Sequence, residues 1–201
     1  MVAFKVVLMA SIRIWKRQLY TRESSRDFHE LDFKVHQELL IRREPPGKGF
    51  HHFLTRKIVR NFIESLPQWP LITRGLDYIL LARGEKGCDG WYDGRVVAIN
   101  AWEQDSWRSV PADYYDEHQE VLRRLHVETV KSGQNYLCKF NPSSVRAFQL
   151  LHVLLHELGH HFDKINTRSQ RVSSRGELYA EAYARSYEQM IWKRYAEWFA
   201  L

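Results

Sequence analysis

His156-Glu157-Leu158-Gly159-His160 combines residue types and spacing that can do chemistry. On a helix, residues four apart lie on one face about one turn apart. Both imidazoles can therefore reach a single tetrahedral Zn2+. Glu157 is rotated by about 100° from His156, which sets its carboxylate beside the metal and not on it. From there it can take a proton from a water that the metal acidifies. In a chain of this composition the HExxH spacing is expected by chance about 0.04 times. Its setting, LLHVLLHELGHHF, is strongly apolar, and ionisable groups there are costly unless paired or metal-bound.

A third ligand can be sought downstream. No histidine and no cysteine follows His161, and the position where a longer HExxHxxGxxH pattern needs a third histidine holds Asn166. A downstream ligand must then be a carboxylate. The downstream acids are Asp163, Glu177, Glu181, Glu188 and Glu197. Asp163 lies within a turn of His160 on the same helix and cannot close the site from outside. Glu177 and Glu181 are one turn apart and share a face at the start of the next helix. One can bind the metal while the other hydrogen-bonds a ligand histidine; the spacing leaves open which does which.

HELGHHFD followed by GELYAEAYAR resembles the gluzincin metallopeptidases, in particular the catalytic domain of anthrax lethal factor and its relatives. The resemblance covers residues 150–187. It implies zinc ligands at His156, His160 and Glu177, a general base at Glu157, and Glu181 as the acid that supports a ligand histidine. Asp163 would be a further acid steadying the histidine helix. Two departures accompany it. The loop between the two helices is shorter here, and the relatives' catalytic tyrosine, seven residues before the ligand Glu, is replaced by Gln170. The donor for the developing oxyanion is then Tyr179, Tyr183 or Arg175, by proximity.

The remaining chemistry-bearing residues read as packing or solvated surface. His152, one turn before His156, is a core or cleft residue, and His161 is structural. The loop Lys164–Arg175 carries four basic residues and reads as solvated. In the resembled superfamily an edge strand beside the metal binds extended substrate by β-addition; Val96–Trp102 is the candidate for it.

These residues need elements to hold them. Asn141-Pro142 is a capping side chain followed by proline at the first helical position, so a buried helix is expected to about Ile165. A last helix is expected over roughly 177–199. Leu76–Arg83 and Gly94–Trp102 read as strands joined through the Gly- and Asp-rich GEKGCDGWYDG, as a hairpin or meander. Residues 24–44, 51–66 and 112–131 read as helices, and 136–140 as a short strand. Pro45-Pro46-Gly47-Lys48-Gly49 breaks the chain, suggesting an N-terminal extension over 1–49 and a catalytic domain over 50–201. The expected class is α+β. With the resemblance it becomes a zincin-like fold, with a small, mostly antiparallel sheet on the HExxH helix and the third ligand on the C-terminal helix.

Composition bounds the rest. The 201 residues suit one domain with a short extension. No apolar run approaches a membrane span, and the basic residues after the apolar start argue against a secretory signal. Two cysteines 50 residues apart fit no metal or redox spacing. A cytoplasmic setting is expected, with secretion by a signal-independent route left open. The net charge of +6 is spread along the chain among acids, which disfavours nucleic acid as a partner. The sequence thus points to zinc-dependent hydrolysis of a peptide or protein substrate. The alternative is a catalytically silent binding or regulatory protein with a structural metal.

Overall fold

A computed structural model of the protein describes residues 39–166 and 176–199. Strand β1 (Leu40–Arg43) is followed by β2 (Phe50–His51), helix α1 (Arg56–Ser65) and the single turn α2 (Trp69–Ile72). Strands β3 (Tyr78–Ala82), β4 (Gly90–Tyr92), β5 (Val96–Asn100), β6 (Trp102–Glu103) and β7 (Trp107–Pro111) come next. Helix α3 (Ala112–Arg124) leads to β8 (Glu128–Ser132) and β9 (Asn135–Lys139). The chain then enters a continuous helix made of α4 (Pro142–Phe148), a π-helical stretch (Gln149–Leu154) and α5 (Leu155–Asn166). Helix α6 (Gly176–Phe199) closes the described chain.

The principal sheet has the order β1-β3-β5-β4. Strands β1, β3 and β5 are parallel, and only the edge strand β4 runs antiparallel, against β5. This corrects the expected mostly antiparallel sheet. The antiparallel pairing sits instead in a separate meander of order β7-β9-β8 and in the short β2–β6 pair. Parallel strands covered on both faces are apolar at every position rather than at alternate ones. β5 (VVAIN) is buried at all five residues. Ile79, Leu81, Val97 and Ile99 join the large core with α1, the central helix and α6. Leu80, Ala82, Val96 and Ala98 form a smaller core on the other face, packed with Tyr78 and Trp91.

Four further expectations change. Residues 40–43 are a strand, not the end of a helix, because β3 satisfies their main-chain groups while Ile41 enters the core. The rest of the helix expected over 24–44 lies outside the described residues. The packed unit spans Leu39–Leu201, so the Pro45–Gly49 segment is a loop within it rather than a border upstream of it. The hairpin expected between β3 and β5 is formed by β4 and β5, since the Gly- and Asp-rich link is long enough to hold a strand of its own. The helix expected over 112–131 stops at Arg124, and β8 occupies its last part.

The central helix starts as its sequence dictates. The Asn141 side chain accepts hydrogen bonds from the Ser143 and Ser144 amides at 2.9 Å each, and the Ser144 hydroxyl accepts one from the Asn141 amide. This capping box removes orphan donors at the helix start. The six π-helical residues are all buried. Burying each large aliphatic side chain contributes about 1.5–3 kcal/mol, which anchors the helix under the sheet.

Candidate metal centre

Two glycines set the spacing of the elements around the site. A Cβ at Gly159 would stand 2.9 Å from Ala180 Cα and 3.1 Å from the Ala180 carbonyl oxygen. Only glycine lets α6 approach α5 this closely, and that approach brings Glu177 and Glu181 to the histidines. A Cβ at Gly90 would stand 2.7 Å from both the Ala98 carbonyl oxygen and Val153 Cγ1, and 3.3 Å from Glu157 Cγ. Edge strand β4 therefore lies directly against the HExxH turn.

His156, His160 and Glu177 converge, the set that the resemblance implies. The His156 and His160 Nε2 atoms are 3.1 Å apart. Glu177 Oε2 is 3.0 Å from the first and 3.5 Å from the second. Among the described residues this is a group able to hold a metal ion. A tetrahedral ion with bonds of about 2.0–2.1 Å requires ligand atoms roughly 3.3 Å apart, so the triangle has the right edge lengths. The two histidines are mostly buried, whereas the Glu177 side chain is 78% exposed.

Glu157 faces the same cavity, of about 390 Å3, which Gly90, Trp91, Tyr92, His156, His160 and Glu177 also line. Burial pushes its carboxyl up to about 7; the charges of Glu177 and Asp89 add to this and His156 opposes it. That value suits a proton acceptor working near neutrality. For His156, burial lowers the pKa, but interaction with Glu181 and the charges of Glu157 and Glu177 outweigh it, and the net shift is upward. Burial and the neighbouring His156 lower that of His160.

Behind the ligands, Glu181 Oε2 stands 3.5 Å from His156 Nδ1 and 3.8 Å from His152 Nε2. Burial raises the Glu181 pKa, but His156, His152 and Arg185 together bring it down to about 2. The carboxylate stays charged and faces the back of His156, the arrangement in which a ligand imidazole is oriented by its second nitrogen. Asp163 is buried one turn beyond His160, and its charge acts on that histidine.

Of the proposed oxyanion donors, Tyr179 and Tyr183 are not brought together with this group. Neither Tyr179 nor Tyr183 lines the cavity, and Tyr183 packs against Phe162, Tyr179 and Tyr187. Arg175, Arg171, Arg168 and Gln170 lie outside the described residues. The edge strand beside the site is β4, not Val96–Trp102, whose β5 portion sits between β3 and β4. The sequence signal for it was Asp93-Gly94. Asp93 Oδ1 accepts from the Arg95 and Val96 amides, and Gly94 takes φ +102°, a tight turn that folds β4 back on β5. His161 also has a job. Its Nε2 donates to the Arg74 carbonyl at 3.1 Å, and the Tyr92 hydroxyl lies 3.0 Å from its Nδ1, tying β4 to α5.

A half-buried ionic cluster holds the start of β4. The Arg108 guanidinium pairs with Asp89 and, at 2.7 Å, with Glu103, and it stacks 3.6 Å over the Trp102 ring. Tyr114 donates to Asp89 Oδ2 at 2.7 Å. A second cavity, of about 640 Å3, opens at this cluster and contains none of the candidate ligands. Comparison of the chain with known protein families, curated proteins and solved structures finds no match, so the chemistry of the site is read from its own geometry.

Proposed function

We propose that the protein is a zinc-dependent peptidase of gluzincin type, with a zincin-like fold around the HExxH helix. The observation that carries this reading is the triangle of His156 Nε2, His160 Nε2 and Glu177 Oε2, with the Glu157 carboxyl in the same open cavity. Two imidazoles and one carboxylate are a ligand set suited to zinc, and three protein ligands with an open side suit a catalytic metal better than a structural one. A bound zinc would supply a Lewis acid that acidifies water and polarises a carbonyl.

The chain's own residues then have defined tasks. Glu157, its carboxyl matched to neutral pH, accepts the proton of the attacking water and returns it to the leaving amine. Glu181 orients His156 from behind. β4 offers an edge for an extended peptide. The Asn100 amide donates to the Asp89 carbonyl and the Asp93 amide to the Val96 carbonyl. In that alternation residues 89, 91 and 93 pair with β5, and Gly90 and Tyr92 direct their main-chain groups to the other side. A substrate strand can pair there.

The test is direct. Glu157→Gln should retain stoichiometric zinc and lose peptide hydrolysis by at least about 100-fold. Protein purified without chelators that holds no zinc, or a His156→Ala variant that hydrolyses peptide as well as the parent, would overturn the reading. Zinc binding with no hydrolysis of any peptide in a library would favour the structural-metal alternative.

A further inference from the structure

Glu177, Glu181 and Arg185 follow one another at four-residue intervals and form a stripe along α6. The two glutamates are chemically equal candidates to bind a metal, yet only Glu177 Oε2 joins the histidine Nε2 atoms. Arg185 distinguishes them. Its Nε donates to Glu181 Oε1 at 2.7 Å, and its Nη2 donates to the Glu117 carbonyl of α3 at 3.2 Å. The guanidinium is thus held at two points, one on each helix. A planar fork held twice has little freedom left, and it fixes the carboxylate it grips. With Oε1 engaged, Glu181 presents Oε2 to His156 Nδ1.

We propose that Arg185 is a positioning residue of the metal centre: it fixes the Glu181 carboxylate behind His156, and so leaves Glu177 as the sole carboxylate ligand. This rests on the zinc reading above. Arg185 does not line the cavity, and its hydrogen bonds go to Glu181 and Glu117 and not to His156, His160 or Glu177. It acts through Glu181, and its removal should be felt as lost metal affinity rather than lost packing.

The test measures the zinc Kd of the full chain by competition with a chromophoric chelator, with the melting temperature of the metal-free protein measured in parallel. Glu181→Gln and Arg185→Met should each weaken zinc about tenfold, the scale of a lost outer partner. Arg185→Lys, which can reach one of the two acceptors but not both, should fall between. The double variant should bind no more weakly than Glu181→Gln alone, because the arginine has nothing left to position. A purely structural arginine would lower the metal-free melting temperature and leave this non-additivity absent. An unchanged Kd in Arg185→Met, or losses that add in the double variant, overturns the proposal. Should Arg185→Met fail to fold, an unchanged Kd in Arg185→Lys overturns it equally. A parent protein that binds no zinc defeats the peptidase reading itself, whereas a parent and Glu181→Gln that behave as expected beside an indifferent Arg185 defeat only this inference.

Discussion

Glu157 and His152 lie five residues apart on the central helix, and burial acts on them in opposite senses, because each is driven towards its neutral form. For Glu157 that means a carboxyl near 7. For His152, burial lowers the pKa to about 3 although Glu181 opposes the shift. His152 packs at ring-centroid distances of 4.6 Å from His118 and 5.1 Å from Phe148. A histidine with a depressed folded-state pKa contributes stability above its unfolded value of 6.5. That contribution drains as pH falls towards 3, since the unfolded chain takes a proton the folded one refuses. In the metal-free protein this predicts a loss of about 2 kcal/mol between pH 7 and pH 5. His152→Phe should flatten that part of the pH dependence in urea titrations. An identical slope in the variant would show that His152 is not held neutral.

At the scale of elements, Gly159 and the Asp89–Arg108 pair do the positioning. Gly159→Val would force α6 off α5, since the contact at 2.9 Å is with main-chain atoms that cannot rotate away. It should weaken zinc binding more than a core substitution that lowers the melting temperature to a similar extent, such as Leu154→Ala. Arg108→Met would leave the half-buried Asp89 with its Tyr114 hydrogen bond but without its cationic partner, and should cost about 1–3 kcal/mol in chemical denaturation at pH 7. Burial raises the Asp89 pKa, but Arg108 and Tyr114 more than reverse this. The benefit of the pair is therefore present above the ordinary aspartate range and lost as pH falls below it. The difference between parent and variant should shrink below about pH 4.

These elements also show what could be read from sequence. His156, Glu157 and His160 are set by helical periodicity alone, so their mutual geometry needs no knowledge of the fold. The Asn141-Pro142 start was equally legible, because capping is a local matter. Strand pairing is not local. Leu40–Arg43 becomes a strand only because β3 is there to pair with it. Gly90–Tyr92 is three residues long in a glycine-rich link, and nothing in it reveals that it borders the metal ligands until Gly90 is seen against Val153 and Glu157. Proximity along the chain suggests Tyr183 as an oxyanion donor, but it lies on the side of α6 that enters the aromatic core.

For the whole molecule, β1 belongs to the unit that carries the site. A chain beginning at Phe50 would expose the edge of β3 and lose Leu39 and Ile41 from the core. It should melt well below the full chain, since the two lost aliphatic side chains alone remove about 3 kcal/mol or more of stability. Equal melting temperatures would show that β1 is dispensable. No described helix is long and apolar enough to cross a membrane. The candidate centre is built from unequal halves. The histidines sit on a helix continuous with a fully buried π-helical stretch, while Glu177 is solvent-exposed in the first turn of α6, where main-chain amides have no partner within the helix. A cation captured there would act as a clasp between that first turn and α5. Its affinity and the order of that end become a single linked equilibrium. Hydrogen exchange at the first turn of α6 should then slow in step with zinc occupancy, while exchange around His156 changes little.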